Sequence, residues 1–272
     1  KICYTNSKFR HFTSKYRVQI ILVLGLRIAY SIWLAIVWLL VDVWFPQTEQ
    51  ALWETYHHLT PSSTLFGRAL IDVWLRWDAV HYMNIAAFGY QGVDVADTVW
   101  FPLYPYLVGF LSKVTTLNMT VAGILVSSLA ALFALICLYE LVNILFRDEN
   151  LARWSVIFFV HAPYTDSLFL LFATTSILMM IRQNHLPAGL LACAAGLTRA
   201  QGLLLLLPMA VFYIQAGLKD RTWFRLREIL AMIFAPLGFI GYSWWRQYTG
   251  APGLFDSYQR LSATIFQNPL TT

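Results

Sequence analysis

An acidic residue stands in an aromatic setting early in the chain, in residues 74–92. Asp78 directly follows Trp77, and His81 lies one helical turn further on the same face. A carboxylate in this position could act as a general base that takes a proton from an acceptor hydroxyl, or could stabilise a cationic transition state. A solvated acid on an interfacial helix is the alternative. We predict Asp78 as the catalytic residue, with Trp77 and His81 contacting the substrate.

Two further charged residues interrupt apolar segments. Asp166 follows a short polar break, where it could belong to a functional site or cap the start of a helix. Arg199 stands alone in an apolar run, so it must meet a carboxylate, a phosphate or the membrane interface. The phosphate of a lipid-linked donor is one candidate partner, and the carboxylate of Asp166 or Asp78 is another. Gln201 is a weaker candidate for the same pocket.

Aromatic residues also follow the first long loop. The stretch WFPLYP, residues 100–105, either stacks on a sugar ring or anchors the chain in the membrane interface. Its Tyr104 is our candidate for substrate contact.

The composition defines the class of protein that must hold these residues in place. Hydrophobic residues make up 58% of the 272, charged residues only 12%, and the mean hydropathy is +0.58. These values predict an all-α integral membrane protein with several spans, since a soluble domain carries about 25% charged residues. The formal charge of +5 resides at the ends of apolar segments and does not indicate a nucleic-acid partner. The chain has neither a glycine-rich phosphate loop nor a DxD motif, which argues against a nucleotide-linked donor.

Charge also predicts the topology of the first part of the chain. Residues 1–17 carry five basic residues and no acid, which indicates a cytoplasmic arm before a first span at 18–44. Residues 45–99 are acidic and should form an extracytoplasmic catalytic loop, with an amphipathic interfacial helix at 65–88. Arg27, inside the first span, is expected to snorkel toward the cytoplasmic surface rather than find a partner.

The rest of the chain is predicted as further spans over 100–245, followed by an outer tail at 246–272. The segment 101–114 is too short to cross comfortably. Segments 154–181 and 186–214 are each either one span with a polar break or two short helices that form a hairpin. The hairpin alternative keeps the basic clusters inside and brings the breaks at Asp166 and Arg199 to the same outer side as Asp78.

Four motifs occur in order: RWDAVHYMNIAAFGY, WFPLYPYLV, APYTDSLFLLF and GLTRAQGLLLLLP. Together they resemble the GPI mannosyltransferase II (PIG-V) family and its bacterial relatives, within the GT-C superfamily of multispanning glycosyltransferases. The resemblance implies that mannose is transferred, with inversion, from a polyprenyl-phosphate donor to a lipid or glycan acceptor outside the cytoplasm. It implies no cofactor and no essential metal. It also implies Asp78 as the catalytic acid residue and places Tyr164, Asp166 and Arg199 in the active cavity.

Departures from the family pattern qualify this prediction. His161 directly follows Val160 where the family has additional residues, so we expect residues to be missing there and at both termini. The sequence is more similar to the short bacterial relatives, which favours a bacterial plasma membrane over the endoplasmic reticulum. A transporter or flippase for a lipid-linked or polar substrate is the main alternative, because broken helices with intramembrane charges also occur in carriers. A non-catalytic scaffold subunit is the third.

Overall fold

The computed structural model describes residues 13–44, 59, 62–75, 78–90, 99–158, 165–221 and 225–249, and the regular secondary structure in them is helical. The α-helices are α1 (Arg17–Trp44), α2 (Leu65–Leu70), α3 (Asp78–Phe88), α4 (Leu103–Thr115), α5 (Met119–Phe146), α6 (Glu149–Phe158), α7 (Thr165–Ile181), α8 (His185–Thr198), α9 (Leu206–Asp220) and α10 (Leu226–Tyr248). Two 3-10 helices span Asp72–Trp74 and Ala200–Leu205.

Within the described residues, four helical segments are long and apolar enough to cross a membrane. They are Arg17–Leu40 in α1, Met119–Phe146 (α5), Ala200–Lys219 and Leu226–Tyr248 (α10). Helix α4 has 13 residues, too few to cross, as predicted for this segment. The predicted class, an all-α membrane protein with several spans, is confirmed.

Of the two broken segments, 154–181 has its break outside the described residues. The segment 186–214 forms a hairpin, so the chain returns to the end from which it started. Helix α8 ends at Thr198 beside the start of α7, because Arg199 forms an ion pair with Asp166. Helix α9 then runs back, and its Lys219 lines one pocket with His185 at the start of α8. We call the end of the bundle that holds Asp166 and Arg199 the site end.

The opposite end of the bundle collects basic residues. Lys15, just before α1, places its Nζ atom 2.6 Å from Oε1 of Glu140 near the end of α5. Arg182, after α7, is close enough to act electrostatically on the same carboxylate. We call this end, which also carries Arg147 and Lys219, the basic end. Its charge is that of a cytoplasmic surface under the positive-inside rule.

The segment 65–88, predicted as one amphipathic helix, is instead divided into α2, a 3-10 turn and α3. The Asp72 carboxylate is 2% exposed and accepts hydrogen bonds from the backbone N–H of Ser62 (2.5 Å) and from its hydroxyl (3.0 Å). These bonds hold the chain in a turn that the apolar periodicity does not reveal. Helix α3 is buried over most of its surface rather than lying flat at the interface.

Two arginines have environments that the sequence did not indicate. Arg27 does not simply snorkel: its Nη2 atom donates to the Ser127 hydroxyl on α5 at 2.9 Å, and its guanidinium lies 5.0 Å from the ring centre of Trp74. Arg246, predicted at the start of an outer tail, lies inside α10 and is 1% exposed. In both cases the arginine faces the protein: Arg27 has partners on α5 and in the 3-10 turn, and the Arg246 guanidinium lies over the ring of Tyr242 on its own helix.

Helices α8 and α10 pack with their backbones in direct contact. A Cβ atom added to Gly189 would lie 2.6 Å from the Ala231 Cα atom, and one added to Gly238 would overlap the carbonyl of Cys193. Small residues at such a seam are typical of membrane helix pairs that approach closely. The seam fixes α8, and therefore Arg199 at its end, relative to the longest described helix that follows it.

We expect Gly238→Ala to lower the thermal midpoint of the purified protein in detergent, because the added methyl group meets backbone that cannot move aside. The cost should be about 1–3 kcal/mol of unfolding free energy. Gly241→Ala is the matched control: it lies on the same helix with no atom within 4 Å of an added Cβ, and Ala favours a helix over Gly. Equal midpoints for the two variants would contradict the tight seam.

Candidate active site

Helix α3 presents Asp78 at its first position. Its buried residues, including Tyr82, Met83 and Ile85, anchor the helix, and α4 approaches so closely that a Cβ on Gly109 would lie 2.7 Å from the Ala86 carbonyl oxygen. Asp78 itself is exposed. An acid in the first turn is favoured by the positive end of the helix dipole. The helix is therefore a fixed support that holds one accessible carboxylate.

An aromatic surface lies next to this carboxylate. The His81 ring stacks on the Trp100 indole, with ring centres 5.5 Å apart and planes inclined by 16°. Tyr82 meets the same indole edge-on at 5.2 Å. The Trp100 carbonyl accepts hydrogen bonds from the hydroxyls of Tyr90 (2.5 Å) and Tyr242 (2.8 Å). These contacts fix the orientation of His81 one turn from Asp78.

Asp166 and Arg199 form a direct ion pair at the site end. Asp166 lies in the first turn of α7, and Arg199 is the residue at which α8 ends, in an extended conformation (φ −157°, ψ 149°). The 3-10 helix after Arg199 folds tightly onto the end of α8, because Gly202 lies against the backbone of Ala195 and Gly196. Both charged side chains are 36% exposed, so the pair borders an open space.

Asp78 lies close enough to Arg199 of this ion pair for their charges to interact. Partial enclosure by protein raises the pKa of the Asp78 carboxyl above its ordinary value, while His81, then Arg199, and then its own backbone N–H oppose the rise. Within the described part of the chain, no basic nitrogen lies within 4.0 Å of its carboxylate. Asp78 is thus an accessible, partly desolvated carboxylate with a higher proton affinity than a fully solvated one.

The remaining predicted site residues have varied positions. Tyr104 is 6% exposed, donates its hydroxyl to the Gly123 carbonyl at 3.2 Å and packs against Tyr82, so it lies in the core beneath α3. Gln201 is exposed in the 3-10 helix beside Arg199. Trp77 and Tyr164 lie outside the described residues. The structure therefore brings Asp78, His81, Asp166 and Arg199 together, and the roles of all the predicted residues stay predictions.

Sequence reasoning missed a second aromatic layer around the site. Tyr242 and Trp245 of α10 contact Tyr90 at ring-centre distances of 6.2 and 5.1 Å, and the Arg246 guanidinium lies 5.8 Å from the Tyr242 ring centre. A signal was available: Tyr242 and Arg246 are four residues apart, hence on one face of a helix. Assigning the end of this helix to a tail hid that pattern.

Metal-ligating side chains do not cluster in the described residues. Over the part of the chain that the structure describes, no group of three or more His, Cys, Asp or Glu side chains could hold a metal ion. The expectation that no metal or cofactor is required stays a prediction.

Comparison with known proteins finds a similar sequence. The chain is 30% identical over 148 residues to GPI mannosyltransferase 2 of Schizosaccharomyces pombe. The match covers 50% of this chain but 31% of that protein, so the chain corresponds to well under two thirds of its relative. No family profile matches the chain, and no solved structure matches it.

The resemblance predicted from the four motifs is confirmed by this match. Over half of its length the chain is similar to a protein of the predicted family, and its all-α, multispanning architecture is consistent with that similarity.

Proposed function

We propose that this chain carries the catalytic site of a membrane glycosyltransferase. It moves a sugar, mannose, from a polyprenyl-phosphate donor to a hydroxyl of a lipid or glycan acceptor. The observation that carries the proposal is the accessible Asp78 carboxylate within electrostatic reach of Arg199. The relative's name, GPI mannosyltransferase 2, supports a mannosyltransferase.

The two carboxylates have different environments, which supports different roles. Asp166 is held by Arg199 in a direct ion pair, so its carboxylate is already engaged by a cation. Asp78 has no such contact among the described residues, and its pKa is raised by partial desolvation. Asp78 is therefore the better general base, and Asp166 is a positioning residue that orients the Arg199 guanidinium.

The proposed reaction is a single displacement at the anomeric carbon. The acceptor O–H gives its proton to the Asp78 carboxylate, and its oxygen forms a bond to the anomeric carbon. The bond between that carbon and the phosphate oxygen breaks, and polyprenyl phosphate leaves with the electron pair. Arg199 faces the increasing negative charge of this leaving group, where a fixed cation has its greatest effect. Attack from the opposite face inverts the configuration.

The arrangement of charge supports an assignment of the side of the membrane. The site end is opposite to the basic end, and basic clusters remain on the cytoplasmic side. We therefore propose that the site opens to the extracytoplasmic surface, in a bacterial plasma membrane by the resemblance to the short relatives.

The test is a transfer assay with purified protein in liposomes. Radiolabelled polyprenyl-phosphate mannose and an acceptor lipid extract are supplied, and labelled products are separated from the donor. We expect label to appear in a new lipid or glycan. Movement of intact donor between leaflets, without any new product, would overturn the transferase and favour the flippase.

A further inference from the structure

A second polar pocket lies at the basic end, far from Asp78. It has a volume of about 180 Å³, and its walls come from the ends of α7 to α10. The residues that matter here are Gln183, His185, Phe212, Gln215, Lys219 and Glu228. Helix α8 separates His185 from Thr198 by about 20 Å along its axis. The pocket is therefore distinct from the candidate active site and does not depend on the proposed function.

A buried carboxylate in this pocket has unused hydrogen-bonding capacity. Glu228 is 3% exposed; its Oε1 atom lies 2.7 Å from Arg225 Nε and 3.4 Å from His185 Nε2. Among the described residues, its Oε2 atom and the Nδ1 atom of His185 are buried without a hydrogen-bond partner. Buried polar atoms in native proteins are almost always hydrogen-bonded. Both residues line the pocket, so a ligand that reorients their side chains could satisfy these atoms.

The charge around the pocket selects an anionic ligand. Lys219 lines it, and Arg182, Arg221, Arg225 and Arg227 are neighbours in the sequence at the same end of the bundle. Basic pockets between membrane helices bind the phosphate groups of lipids. The amide groups of Gln183 and Gln215 could donate further hydrogen bonds to phosphate oxygens.

The surface of α9 favours a lipid, rather than a water-soluble molecule, as the source of the phosphate group. The helix that contributes Gln215 and Lys219 to the pocket also exposes a stripe of large apolar side chains. They recur at helical spacing and are 47–67% exposed: Leu207, Val211, Ile214 and Leu218. Such a stripe on a membrane helix is suited to acyl chains. Phe212 and the apolar part of the pocket continue this surface inward.

We propose that this pocket binds the head group of a glycerophospholipid that combines a phosphate with an N–H or O–H donor, as ethanolamine and glycerol head groups do. The phosphate contacts Lys219 and the glutamine amides. The donor hydrogen reaches Glu228 Oε2, and the acyl chains lie along α9. A choline head group has the phosphate but no N–H, so it leaves the carboxylate oxygen without a partner.

The experiment compares three lipids with identical acyl chains on delipidated protein by native mass spectrometry. We expect phosphatidylethanolamine and phosphatidylglycerol to bind about tenfold more tightly than phosphatidylcholine, the effect of one hydrogen bond to a charged group. Lys219→Gln should weaken retention of the first two by about tenfold. Arg221→Gln removes the same charge at the same end but from an exposed residue that does not line the pocket, and should bind as wild type.

Two results would overturn the proposal. Equal retention of all three lipids would show that the pocket does not recognise the N–H or O–H group of the head group. Equal losses of binding in Lys219→Gln and Arg221→Gln would show only nonspecific attraction to positive charge. Displacement of the lipid by soluble glycerophosphoethanolamine at similar concentration would overturn the lipid assignment in favour of a water-soluble phosphate ester.

Discussion

Asp78→Asn is expected to reduce kcat for sugar transfer by about 10³-fold, within the range typical of a lost general base. Asparagine has nearly the same shape as aspartate but cannot accept the proton of the acceptor hydroxyl. Donor binding and thermal stability should persist, because Asp78 makes no salt bridge among the described residues and partial burial already disfavours its charge. Transfer of label from polyprenyl-phosphate mannose measures kcat, and retention of labelled donor on the protein measures donor binding.

Asp148→Asn is the matched control for this substitution. Asp148 is exposed at the basic end, and its side chain accepts a hydrogen bond from the Asn150 backbone at 2.8 Å at the start of α6. Asparagine caps helices as well as aspartate does, so this variant should be fully active. An Asp78→Asn enzyme that retained a tenth or more of wild-type activity would exclude Asp78 as the base.

Arg199→Gln is expected to lower kcat by about 10²-fold, because one fixed cation facing the leaving phosphate is lost. It should also change the pH dependence. The base acts only when ionised, so the rate falls as the pH drops through the pKa of Asp78. Arg199 holds that pKa down against the effect of burial. Removing its charge raises the pKa, and the acid side of the kcat profile should shift to higher pH.

Arg199→Lys separates charge from geometry in the same experiment. Lysine retains the cation but loses the planar guanidinium whose Nη1 atom meets Asp166. Its rate should fall while the acid side of its profile stays close to that of wild type. An unchanged profile in Arg199→Gln would mean that Arg199 does not act on the catalytic proton.

Sequence reasoning worked best where one local property dominates. Helix α5 lies within the region predicted as further spans, because 28 consecutive, mostly apolar residues favour only a membrane helix. The break at Arg199 was also predictable, since a lone charge in an apolar run requires a partner. Its partner, Asp166, was among the candidates derived from the same rule.

Long-range contacts were not predictable in the same way. The apolar spacing over 65–88 continues through the turn that Ser62 and Asp72 impose, because a side-chain bond ten residues apart leaves no periodic signal. The partners of Arg27, Ser127 and Trp74, are distant in sequence and come together only through packing. Trp100 was a candidate for sugar stacking or interfacial anchoring, but its pairing with His81 depends on how α3 meets the start of α4.

The seam between α8 and α10 has a mechanical consequence. Two backbones in contact at Gly189 and Gly238 can neither rotate nor slide past one another without collision, so they move as one rigid body. Arg199 is carried at the end of α8, so its guanidinium keeps its position relative to α10. We therefore expect the donor to enter and the spent carrier lipid to leave without displacing this cation.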